Sequence, residues 1–186
     1  MLVPWWLGAA LAGELPAGGT AISVEVVGVL AEVTVGRTFR NPLDRPIDAD
    51  LVVPVPPGAA VDHLELEVGE RRITSVVERW DRARATYVVA AEQGRIAGLL
   101  EEESAGRLRQ RVANVPAGAE VELELRFVVP VERRAGGWEL TLPLTTAPRF
   151  VVDGGDDVAF TDEAPTDALS VDFRVHAGLP ISWLHR

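Results

Sequence analysis

No cysteine and no lysine occur among the 186 residues. The first absence removes disulfides, thiolate metal sites and cysteine nucleophiles together. The second leaves all 18 basic charges on arginine, against 28 acidic ones, for a net charge of −10 and a pI near 4.8. Those arginines are scattered, so nucleic acid, whose phosphates demand clustered cations, is excluded as a partner. Anionic membrane surfaces are equally ill matched. Histidine is down to His63, His176 and His185, with no HxH or HxxxH pair. A zinc site would need two distant strands and the chain terminus to converge. No G-x-S-x-G elbow surrounds Ser23, Ser75, Ser104, Ser170 or Ser182, and Gly8, Gly13, Gly18 and Gly19 fit neither a phosphate loop nor a dinucleotide fingerprint. No cofactor, metal site or catalytic residue is therefore expected. The missing cysteines suit the cytoplasm, with a secreted or cell-surface location left open.

What is present is a globular composition, 47% hydrophobic, in a chain long enough for one sizeable core. The apolar stretch from Leu2 to Ala12 is too short to span a bilayer, so no membrane insertion is expected. It allows two readings. One is a structural strand; the other is a targeting segment, although no cation precedes Arg37 to supply a charged n-region.

Beyond it, period-two alternation dominates. Ile22, Val24 and Val26 share one face; Val29, Ala31, Val33 and Val35 share a face in the opposite phase, which predicts a bulge or bend at Val27-Gly28. Asn41-Pro42 ends that strand. Ile47, Ala49, Leu51 and Val53 form a buried face opposite a wet one of Asp48, Asp50 and Val52, and Pro54, Pro56 and Pro57 lead an extended exit into Gly58. Leu64, Leu66 and Val68 alternate with Glu65 and Glu67, and Gly69-Glu70 predicts a two-residue hairpin before a strand from Arg71 to Val77.

Between Glu78 and Gln93 the spacing of Trp80, Ala83, Tyr87 and Ala90 or Ala91 predicts one amphipathic helix lying across a sheet, with Gly94 as its C-cap. Strands follow over Arg107–Val115, over Val121–Val129 after the Pro116–Gly118 turn, and over Trp138–Leu142, where alternation with Leu140 puts Trp138 in the core. Glu101, Glu102 and Glu103 read as a solvated face. Asp153 to Asp167, with no cation among its acids, reads as a solvated connection. It lacks the calcium-loop spacing. A last strand, Leu169–Val175, should pack onto the rest and leave Trp183 near an exposed edge.

Four blocks are diagnostic in their order: GVLAEVTVGRTFRNPLDRPIDADLVVPVPPGAAV, VGERRITSVVERWDRARATYVVAAEQGRIAGLLEEE, RVANVPAGAEVELELRF and LTLPLTTAPRF. Together they resemble the VIT domain, the module named after vault proteins and the inter-α-trypsin inhibitor heavy chains. Residues that carry the resemblance are Asn41, Pro42, Pro54, Pro56, Gly58, Glu78, Arg84, Tyr87, Gly94, Arg95, Leu99, Leu100, Glu101, Asn114, Pro116, Gly118, Pro148 and Arg149. Asn114 is expected to hold its turn through its own backbone, with Gly118 supplying permissive dihedrals. Arg149 is expected either to meet a carboxylate at the base of the sandwich or to be an ordinary surface residue. Asp48, Val53 and Val55 depart from the family's usual glutamate, phenylalanine and leucine.

The resemblance implies a structural or interaction role for these residues, and a non-enzymatic scaffolding module that binds protein partners. It also implies a von Willebrand A domain in the same polypeptide. That domain's D-x-S-x-S loop does not occur in the sequence, so the chain is expected to be an N-terminal piece or to act alone. The expected fold is mainly β, a β-sandwich with one inserted α-helix at about Glu78–Gln93. Residues 1–150 form the VIT-like domain, 151–167 the acidic connection, and 168–186 a strand and tail packing back or leading onward. A calcium- or carbohydrate-binding adhesion module and a hydrolase on a β-sandwich are the rival readings.

Overall fold

A computed structural model describes residues 17–143 and 169–176, with 178 and 181. The Leu2–Ala12 stretch, Pro148-Arg149-Phe150, the acidic connection and Trp183 lie outside the described residues.

The described elements are β1 (Ala17–Val27), β2 (Leu30–Arg40), β3 (Ile47–Pro54), β4 (Ala60–Val68), β5 (Arg71–Thr74), α1 (Trp80–Glu92), β6 (Ala97–Ser104), β7 (Arg107–Val115), β8 (Glu120–Pro130), β9 (Glu132–Arg134), β10 (Gly137–Glu139) and β11 (Leu169–His176). They build a six-stranded sheet in the order β11-β1-β2-β8-β4-β5, a three-stranded sheet β3-β7-β6, and the small hairpin β9-β10. The two larger sheets face each other as a β-sandwich. Alternation decides which residues meet: Val24, Val33, Leu125 and Leu66 from one sheet and Leu51, Val53 and Val112 from the other are buried in a shared core. All pairings are antiparallel except β1 with β11, which is parallel from Thr20↔Leu169 to Val27↔His176.

Four expectations are corrected. Val27-Gly28 is not a bulge within one long strand. Gly28, at φ 62°, opens a two-residue hairpin between β1 and β2, with Val27 paired to Leu30, and Val29 is exposed at its tip. Val52 is buried instead of wet, and Trp138 is exposed instead of core, since β10 pairs only with β9 and only Leu140 and Leu142 beyond it reach the core. The helix is shorter than its periodicity suggests. Arg79 is extended at φ −62° and ψ 140°, so Glu78 lies before the helix, with its carboxylate 3.6 Å from Arg82.

Among the described residues the chain passes between the two facing sheets four times: from β2 to β3, from β3 to β4, from β5 through α1 to β6, and from β7 to β8. The two hairpins Gly28-Val29 and Gly69-Glu70, by contrast, stay within the six-stranded sheet.

Candidate functional site

Two asparagines fasten these passages. Asn41, fully buried where β2 leaves for β3, donates from its side-chain amide to the carbonyls of Arg45 (2.9 Å), Val115 (3.0 Å) and Pro116 (2.9 Å). Its Oδ1 accepts from the Leu43 N–H, and its own N–H donates to Ala119. Arg40 Nε adds a bond to the Gly118 carbonyl at 3.1 Å. The β2–β3 and β7–β8 passages are thereby tied to each other. Gly118 takes the left-handed φ of 65° that its turn requires.

Asn114 does something other than brace its own turn. It sits at φ 55° in a bulge of β7, where the register with β3 slips between Ile47 and Ala49. Its N–H donates to the Asp48 carboxylate at 2.8 Å, and its side-chain amide donates to the carbonyls of Ala91 (2.9 Å) and Arg95 (3.0 Å). Those carbonyls lie in the last turn of α1 and just beyond it. Gly94, at φ 69°, terminates the helix with its N–H on Ala91 and the Arg95 N–H on Ala90, so α1 is pinned to the sheet at its C-terminal end.

The rest of α1 is loosely held. It has no fully buried residue, and its N-terminus lacks a side-chain cap. Trp80 is exposed with the Arg84 guanidinium 5.3 Å above its ring. Between α1, the β4–β5 edge and β6 runs a groove of about 740 Å³. Val55, Pro56 and Gly58 of the proline-rich exit line one end, Glu78, Ala83 and Tyr87 one wall, and Leu99, Leu100 and Glu101 the floor. The segment Val76-Val77, which enters the groove from β5, is 80% and 85% exposed. Burial pushes the Tyr87 phenol up to about 12, with help from the carboxylate of Asp48.

The acidic run beside the groove is ion-paired, not a bare solvated face. Glu101 lies 3.3 Å from Arg111, and Glu103 lies 3.3 Å from Arg107 and 3.7 Å from Arg109, while Glu102 is exposed. Asp50 receives Arg109 at 2.7 Å. With cations taken up in this way, the carboxylates brace β3, β7 and β6 edge to edge. On the far side of the molecule a depression of about 570 Å³ is walled by Glu65, Glu67, Glu122 and Glu124. Arg72 ion-pairs with Glu65 and Glu67 there. Among the described residues no cluster of His, Cys, Asp or Glu could hold a metal ion, and no helix is long and apolar enough to cross a membrane.

The residues singled out from sequence thus divide. Pro56, Gly58, Glu78, Tyr87, Leu99, Leu100 and Glu101 meet at the groove. Asn41, Pro42, Asn114, Pro116 and Gly118 sit at the passages away from it, Pro54 ends β3, Gly94 and Arg95 close α1, and Arg84 stands over Trp80. Val76 and Val77 were absent from that set. Their signal is two adjacent valines beyond Thr74, where β5 ends short of the expected Arg71 to Val77 strand.

The family model described as Vault protein inter-alpha-trypsin domain (VIT) matches residues 18–127. A mouse protein named protein mono-ADP-ribosyltransferase PARP4 is 26% identical over 75% of this chain and 7% of its own length. Human von Willebrand factor A domain-containing protein 5A is 27% identical over 75% of this chain and 18% of its own length. The chain therefore spans less than a fifth of these relatives. A non-cellulosomal cohesin from Archaeoglobus fulgidus aligns at a TM-score of 0.35 and 13% identity over 86% of this chain and 93% of its own, too low to carry weight. The match over residues 18–127 takes in β1 through most of β8 and both asparagine clamps, and the chain belongs to the VIT family.

Proposed function

We propose that the chain is a non-enzymatic protein-interaction module, the N-terminal VIT part of a larger protein with a von Willebrand A domain, and that the groove beside α1 receives its protein partner. The observation that carries this reading is the exposed apolar pair Val76 and Val77 along a groove that Leu99 and Leu100 also line. Apolar side chains clustered at a concave site favour burial against another protein. The relative whose name includes a von Willebrand A domain makes such a domain the first candidate partner. A cytoplasmic setting belongs to the same proposal and rests on the cysteine-free composition.

The test is an affinity pull-down from native lysate read by mass spectrometry, comparing the wild type with Val77→Asp. Val77 is exposed, so the substitution leaves the core intact. One stoichiometric partner bound by the wild type and lost with Val77→Asp is the expected outcome. Equal recovery by both would count against the groove.

A further inference from the structure

The outer edge of β11 carries a self-complementary pattern. The His176 carbonyl accepts from the Gly28 N–H at 3.3 Å, so the peptide groups of the even-numbered residues face β1. Alternation then turns the N–H and C=O of Val171, Phe173 and Val175 toward the outer edge of the six-stranded sheet, where no further strand pairs among the described residues. The side chains of Leu169, Val171 and Phe173 continue the core-facing rows of Thr20, Ile22 and Val24. They are nevertheless 47%, 51% and 43% exposed. A long strand edge with unpaired peptide groups beside an apolar row is a template for another strand. Asp172 and Arg174 occupy the opposite face, 3.1 Å apart, and both are largely exposed.

We infer that β11 pairs antiparallel with β11 of a second copy of this chain, about a twofold axis through Phe173. In that register Asp172 of each copy lies opposite Arg174 of the other, Val171 opposite Val175, and Phe173 opposite Phe173. Shifting the pairing by one residue would set an apolar side chain against a polar one. Shifting the axis to Asp172 or to Arg174 would set like charges against each other, which cross-strand pairs resist. Opposite charge and matched apolar rows thus select one register, and the two six-stranded sheets become continuous through β11.

Sedimentation equilibrium on the 186-residue chain should reveal a reversible dimer. Asp172→Arg and Arg174→Asp each put like charges at both symmetry-related contacts, and each should weaken the dimer about tenfold or more. The double swap D172R/R174D restores opposite charges and should restore the dimer. Mixing the two single variants should also give a heterodimer, because one chain then carries two cations at positions 172 and 174 and the other two anions. Far-UV circular dichroism checks that every variant stays folded. A wild type that stays monomeric at all concentrations would overturn the inference, as would single variants that dimerise like the wild type. So would failure of the single variants, once mixed, to associate.

Discussion

Two asparagines carry much of the architecture, for opposite conformational reasons. Asn41 is buried and extended its reach to three carbonyls on two loops, whereas Asn114 adopts a left-handed backbone and reaches the helix end. Asn tolerates that conformation better than most residues. Substituting Asn114→Gly keeps the backbone and removes the amide, while Asn114→Ala loses both. Urea unfolding should put the glycine variant about 1–2 kcal/mol below the wild type and the alanine variant lower still. Amide exchange should speed up in α1 in both. Gln110 presents the reverse case. It is fully buried between the sheets, and neither its Oε1 nor its Nε2 has a hydrogen-bond partner among the described residues. Burying a polar group unpaired costs stability, so Gln110→Met should raise the unfolding free energy by about 1 kcal/mol or more. Tyr87 can be read by pH. Its phenol holds its proton to about 12 in the fold but ionises near 10 in an unfolded chain. The contribution of Tyr87 should therefore be constant below about pH 10 and fall as pH rises from about 10 toward 12. Lysine and cysteine are absent and Tyr87 is the only tyrosine, so no other side chain competes in that window. Tyr87→Phe should abolish the alkaline slope in urea unfolding curves recorded at pH 9 and 11.

At the scale of elements, the strands were legible because one buried face writes a period of two into the sequence, as Leu64, Leu66 and Val68 do. The hairpin at Gly69-Glu70 was legible for the same reason, since a glycine stood between two alternating runs. Gly28 was misread because a two-residue hairpin and a bulge both reverse the phase of alternation. Length would have separated them: Ile22 to Val35 is too long for an ordinary single strand. Trp138 was misread because alternation names a face without saying whether a second sheet covers it. One glycine does its work through packing. At Gly98 of β6 a Cβ would overlap Leu66 Cδ1 of β4, and Leu66 is itself buried in the core. Gly98→Ala should cost about 1–3 kcal/mol in thermal or urea unfolding, and pairing it with Leu66→Ala should return part of that loss.

Across the whole molecule, the residues that carried the family resemblance concentrate where the chain changes sheets. Asn41-Pro42, Pro54 to Gly58, Glu78 to Arg95 and Pro116 to Gly118 are the four passages. Prolines, glycines and asparagines are demanded there because a chain leaving one ladder for another must satisfy its peptide groups without strand partners. Sequence could identify these residues but not their partners, since Asn114 meets Ala91 across 23 positions and Asn41 meets Val115 across 74. For the same reason the groove was only half legible: the proline-rich exit and the helix stood out separately, and only the fold brings Pro56 and Tyr87 to one cavity. The most direct measurement of what that cavity does is photocrosslinking in native lysate, with the crosslinker placed at position 77 on the groove rim or at position 122 on the opposite sheet face. A single protein adduct from position 77 and none from position 122 is expected if the groove is the docking site. No adduct from position 77, or the same adducts from both positions, would contradict it.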